Sequence, residues 1–166
     1  MDSGYNMRRA RRADRDTLVA FTLQAAREIE GGDRDIEAVA RGVRSALEDP
    51  SLATYWVAES AAGAVVASTS VVTEWSDFNG DFYWWIQSLF ITPEHRGDGL
   101  VGLLLDHLTD AARAAGALDL RLYVHDSNQR ALAAYRRCGL EEAPYTIMKR
   151  RLTGGSGQGM TTCNES

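Results

Sequence analysis

The residues of this chain best placed to do chemistry sit in one turn, Arg96-Gly97-Asp98-Gly99-Leu100-Val101-Gly102. It lies between an apolar strand pattern ending at Ile91 and the start of a helical pattern. Unpaired N–H groups and the helix dipole make such a junction a pyrophosphate site, and glycine lets the backbone approach the anion closely. Read from Gly97, the same residues also spell G-x-G-x-x-G, with Asp126 beyond the following strand, where a dinucleotide fold would seek a ribose-binding acid. That fold places the turn directly after its first strand and needs several further βα units. Here Thr92-Pro93-Glu94-His95-Arg96 intervenes and only two strand patterns remain, so the dinucleotide reading is set aside. Farther on, Asn128, Ala131, Leu132 and Tyr135 share one face of a helix over about two turns, a rise of ~10 Å that can follow an extended ligand.

These groups need a scaffold, and periodicity supplies it. Tyr5 to Ala10 reads as a short strand, and Asp14 or Asp16 can cap a helix whose apolar band runs from Leu18 to Ile29 and stops at Gly31-Gly32. A second amphipathic helix spans Asp33 to Glu48, closed by Pro50. Thr54 to Glu59, Val65 to Glu74 and Phe82 to Ile91 are strand patterns with short links, an antiparallel meander. After the glycine turn come a helix to Ala115, a strand Leu118 to Val124, a helix Ser127 to Cys138 and a strand Tyr145 to Leu152. The expected class is α+β: a mixed, mostly antiparallel sheet of about six to seven strands flanked by about four helices.

With 166 residues, 45% of them hydrophobic, the chain builds one domain, expected over residues 1–152. The Gly/Ser/Thr-rich tail 153–166 is expected to be disordered. No apolar run approaches the ~20 residues that cross a bilayer, so a soluble, cytoplasmic chain without a membrane partner is predicted. The net charge of −5 supplies no basic field, and nucleic acid is not the expected partner. Cys138 and Cys163 have neither disulfide nor metal spacing, so free thiols and no metal are expected. The rings of Trp75, Phe78, Phe82, Tyr83, Trp84 and Trp85 are too dense for a small core, and one side of that cluster must meet solvent, a cleft or a partner.

The order of these elements from Tyr5 to Leu152 resembles the GNAT superfamily of N-acetyltransferases. Its central motif, Q/R-x-x-G-x-G/A, is matched by Arg96-Gly97-Asp98-Gly99-Leu100-Val101, with Val101 in place of the usual small residue. A second motif, N-x-x-A-x-x-x-Y-x-x-x-G-F/L, is matched by Asn128, Ala131, Tyr135 and Gly139-Leu140. The resemblance implies transfer of an acetyl group from acetyl-CoA to a primary amine, on a small molecule, peptide or protein, by direct attack in a ternary complex. A non-catalytic acyl-CoA-binding module with the same fold is the alternative. It implies that residues Arg96 to Gly102 cradle the pyrophosphate, that strand backbone at Leu89, Phe90 and Ile91 pairs with the pantetheine, and that Asn128 and Ala131 border it. Tyr135 would protonate the leaving thiolate, and Glu74 is the candidate base, with Asp77 and His125 as other possibilities. Cys138 is read as helix packing. Trp75, Trp84 or else Trp85, and Asp77 are the expected acceptor-site residues, with a homodimer interface as the other use of the aromatic cluster.

Overall fold

A computed structural model describes residues 4–152; the expected disorder of the tail and the thiol of Cys163 lie outside the described residues. The strands are β1 (Tyr5–Arg9), β2 (Thr54–Ser60), β3 (Val65–Ser76), β4 (Asp81–Ile91) and β5 (Leu120–Leu122), and the helices α1 (Arg15–Glu30), α2 (Ile36–Glu48), α3 (Leu100–Ala114) and α4 (Gln129–Arg137). One sheet runs in the order β1-β2-β3-β4-β5. The first four strands are antiparallel neighbours, and β5 joins β4 in parallel.

Helices cover both faces of the sheet, as neighbouring residues of β2 show. Successive strand side chains point to opposite faces, yet Val57 and Ala58 are both fully buried. Val57 packs with Leu18 of α1 and Val43 of α2. Ala58 packs with Leu100 and Leu104 of α3. The core is therefore double, with Leu105 and Leu108 of α3 closing over Val71 and Ile86 farther along the sheet.

The predicted elements are present with short adjustments at their ends, but the sheet has five strands among the described residues rather than six or seven. Tyr145 to Leu152 carries a strand-like pattern and forms no strand, leaving Tyr145, Ile147, Met148 and Leu152 largely in solvent. Periodicity makes a segment able to pair, but pairing needs an edge, and the edge strand β5 is only three residues long.

Asp14 caps no N–H of α1 through its side chain. Its carboxylate is instead buried against the Arg8 guanidinium, accepting at 2.8 and 3.0 Å, and it takes the Arg11 N–H at 2.6 Å. Glu59 closes the far side of Arg8 at 2.6 Å, so the cluster ties β1, β2 and the start of α1 together. The Arg8 hydrogen bonds hold the Asp14 carboxyl below its ordinary range. A depressed carboxylate contributes stability above the unfolded value near pH 4, and that stability is lost as pH falls through the folded value. Asp14→Asn should therefore lower unfolding stability at pH 7 by about 2 kcal/mol. The difference between the two proteins should shrink below about pH 4, as urea titrations at several pH values would register; equal stability at pH 7 would refute the role.

Candidate active site

The site begins where β4 leaves β5. The parallel ladder pairs Trp84 with Leu120, Trp85 with Arg121 and Ile86 with Leu122, and then ends. At the same point β4 bulges against β3: Ser70 faces Ser88 and Val71 faces Ile86, which leaves Gln87 as the extra residue. A bulge bends its strand and disrupts the ladder locally. Beyond Gln87, β4 keeps β3 on one side and borders a cleft on the other. Gln87, Ser88 and Leu89 form one wall, Tyr123, Val124 and His125 the opposite wall, and Asn128, Ala131 and Tyr135 of α4 the end, with Ile29 of α1 alongside. A roomier and more open hollow between α1 and α2, lined by Arg15, Val19, Glu37, Arg41 and Arg44, contains none of the candidate groups.

The glycine turn lies between β4 and α3. Gly97 and Gly99 have φ of 101° and 76°, the left-handed region that other residues resist. Gly99 is the N-cap of α3, and no side chain caps that helix. The N–H groups of its first turn are thus left for an external acceptor. The flanking side chains brace the turn. Arg96 donates from Nε to the Ile91 carbonyl at 2.9 Å and from Nη2 to Glu28 of α1 at 2.8 Å. Asp98 accepts from the Tyr5 hydroxyl at 3.4 Å. Leu100 is buried in the core, and Val101 packs against both clusters beneath α3, so its extra bulk is taken up by the core. Gly102 faces Cys138, whose sulfur would lie 3.8 Å from a β-carbon there. Cys138 accordingly serves as packing between α3 and α4.

On α4, Asn128 is the N-cap and its Oδ1 accepts from the Ala131 N–H at 3.1 Å. The carbonyl end of this amide is thereby committed, which leaves the NH₂ end to meet a ligand. Tyr135 is half-buried in the cluster under α3 and also lines the cleft. Burial, and then the neighbouring Cys138, raises its phenol above the ordinary tyrosine value.

The remaining candidates fall on different faces of the sheet. Trp84 shares its face with Ile86 and packs under α3, and Trp75 stacks edge-on with Phe82 on that face near the β3–β4 hairpin tip, ring centroids 5.0 Å apart. Asp77 lies in the exposed turn beyond it. The opposite face, on the side of α1, carries Trp85, stacked on Tyr123 at 4.4 Å, and Tyr83, with the Arg121 guanidinium 3.4 Å above its ring. Glu74 is exposed and lies directly across from Tyr83 in the ladder. Phe90 turns its ring onto Phe21 of α1, Ile91 is buried near Leu100, and Leu89 lines the cleft. Tyr83 and Trp85 belong to the aromatic cluster expected from the sequence, whereas no role was expected of Gln87, Arg121 and Tyr123. The alternation Leu120-Arg121-Leu122-Tyr123 was the one available signal for the last two.

Comparison with known proteins agrees with this geometry. The profile of the Acetyltransferase (GNAT) family matches residues 17–140. Streptothricin acetyltransferase of Streptomyces lavendulae is 42% identical over 65 residues, 36% of this chain and 34% of that protein. The L-amino acid N-acyltransferase MnaT of Escherichia coli (strain K12) is 30% identical over 93 residues, 56% of this chain and 54% of that protein. The matches thus span about a third and about half of these relatives. Among solved structures, a possible acetyltransferase from Clostridium difficile 630 superposes with a TM-score of 0.84 at 28% identity, covering 90% of this chain and 99% of that one. A predicted acetyltransferase from Clostridium acetobutylicum, crystallised with acetyl-CoA, shares the fold with a TM-score of 0.72 at 18% identity over 88% of this chain and 96% of that one. Since the matched segment takes in the glycine turn, the cleft and α4, this chain belongs to the GNAT acetyltransferase family.

Proposed function

We propose that this protein is an N-acetyltransferase that moves the acetyl group of acetyl-CoA to a primary amine within a ternary complex. The observation that carries the reading is the divergence of β4 from β5 at the Gln87 bulge, together with a glycine turn whose helix has no side-chain cap. Uncapped N–H groups at a helix start suit the pyrophosphate of coenzyme A, and open β4 backbone suits the amides of its pantetheine arm, added like a further strand. The amide of Asn128 and the methyl of Ala131 border that arm at the α4 end of the cleft.

Two proton transfers remain for side chains. The amine must lose a proton before its nitrogen attacks the acetyl carbonyl, and the sulfur must gain one as the C–S bond breaks. Tyr135, at the end of the cleft with its proton held firmly by burial, supplies the second. For the first, His125 lines the cleft, yet its Nδ1 is within 3.3 Å of the Ser127 N–H and 2.7 Å of the Ser127 hydroxyl. Asp126 Oδ1 lies 3.2 Å from the same nitrogen, so Nδ1 is occupied by neighbours of the His125 loop rather than turned to an acceptor. Glu74 stands on the acceptor face without an ion-pair partner among the described residues, and it takes the proton through water across Tyr83. The acceptor is an amine of a small molecule, in keeping with the names of the two relatives, or of a peptide. The exposed rings of Trp75, Phe78 and Phe82 at the hairpin tip suit the contact between copies of a homodimer.

Calorimetric titration with acetyl-CoA, followed by thiol release across a panel of amines, tests the reading. Micromolar binding together with amine-dependent thiol release is the expected result. Binding with no release on any amine would favour a non-catalytic acyl-CoA-binding module, and absence of binding would sink both.

A further inference from the structure

The face of the sheet that meets the acceptor carries one feature that acetyl transfer alone does not require. Tyr83, Trp85 and Tyr123 form an aromatic shelf, and a cation lies on it: the Arg121 guanidinium is 3.4 Å from the Tyr83 ring centre and 5.7 Å from that of Trp85. Stacking holds the planar group in place, so its donors are pre-oriented rather than free to sweep through solvent.

One carboxylate pairs with Arg121. Asp119 accepts at 2.9 Å from Nη2 and 3.3 Å from Nε, both through Oδ2, and its side chain is 57% exposed. The Arg121 side chain is itself 26% exposed, and Asp119 engages only Nε and Nη2 of a group with five N–H donors, so an incoming anion can join the pair. Glu74, on the far side of Tyr83, keeps a second negative charge on this face.

The spacing says what kind of molecule could use the cation. Arg121 of β5 and Tyr123, just past its end, both meet the Trp85 ring and lie two residues, ~7 Å of extended chain, apart. Tyr123 lines the cleft, whereas Arg121 lies below it over Tyr83. We propose that Arg121 is a specificity-determining residue that takes the carboxylate of an amine acceptor, the carboxylate lying several bonds, about 7 Å or more, from the reacting nitrogen. The hydrocarbon between the two ends rests against Tyr123, whose ring is stacked on Trp85. This inference rests on the transferase reading for the reacting end of the acceptor.

The test compares glycine, 6-aminohexanoate and hexylamine as acceptors for the wild type, Arg121→Gln and Arg121→Lys. The wild type should prefer 6-aminohexanoate to hexylamine by about 10- to 100-fold in kcat/KM, the range that one charge-assisted hydrogen bond supplies, and glycine should be poor. In Arg121→Gln the preference should collapse toward unity; Arg121→Lys, which keeps the charge without the planar fork, should retain part of it. Calorimetry of N-acetyl-6-aminohexanoate against N-acetylhexylamine, with coenzyme A present, gives the same comparison without turnover. A wild-type preference near unity in both assays, or one that survives Arg121→Gln, would overturn the role of Arg121. Loss of acetyl-CoA binding and of thiol release with every amine is a separate outcome, the failure of the transferase reading. Coenzyme A affinity, measured for each variant, reports that the cofactor half is still folded.

Discussion

Gly99→Val should bind acetyl-CoA about 100-fold or more weakly than the parent chain, the largest effect expected of any single change in the turn. Gly99 caps α3 with φ of 76°, where a β-branched residue is strongly disfavoured. An added β-carbon would meet no protein atom within 4 Å, so the damage is conformational and does not come from a clash in the core. If the backbone relaxes out of the left-handed region, the N–H groups at the start of α3 lose their common direction, and a pyrophosphate loses several hydrogen bonds together. Gly99→Ala should fall between the two. Calorimetry would check this, and parent-like affinity in the valine variant would remove the turn from the cofactor site.

Tyr135→Phe should lower kcat by about 100-fold while leaving acetyl-CoA affinity within a few-fold, because general acids contribute about 10²–10⁴ to rate and the ring keeps its packing under α3. The pH dependence carries the second half of this prediction. Burial first, and Cys138 second, raise the phenol above its ordinary value of 10.0. An acid with a raised pKa keeps its proton at every pH below that value, so Tyr135 should impose no falling limb on wild-type kcat below about pH 10. Stopped-flow thiol release from pH 6 to 10 would measure both. An unchanged kcat in Tyr135→Phe would assign proton delivery to water.

Much of this was legible because it depends on local pattern. The apolar stripe of α1, the meander, and the two glycines between β4 and α3 follow from spacing and turn chemistry, and the structure places them within a few residues of expectation. Tyr145 to Leu152 shows the limit: alternation describes a segment's capacity to pair, while pairing depends on an edge that another part of the chain must provide. The aromatic cluster shows another. Trp84 and Trp85 are adjacent in sequence and interchangeable in composition, yet one packs under α3 and the other stacks on Tyr123 on the opposite face. Which is which depends on strand phase, and phase was hidden by a bulge at a residue with nothing unusual about its type. Arg121 was invisible for the same reason, since its meaning comes from the rings of Tyr83 and Trp85 on a neighbouring strand.

The bulge also sets a grammar for how this strand can change. Before Gln87, Ile86 and Trp84 face α3, so even-numbered residues belong to that layer. After it, Leu89 and Ile91 face α3 while Phe90 meets α1, so odd-numbered residues do. Gln87 is a point where parity is exchanged. Its exposed side chain lines the cleft, where a substitution acts locally, but the position cannot be dropped: with one residue fewer, Leu89 and Ile91 would fall to the α1 side and Phe90 to the α3 side. Substitution at Gln87 is thus a change of spelling, whereas its deletion is a frameshift in three dimensions, confined to one strand and felt in both cores.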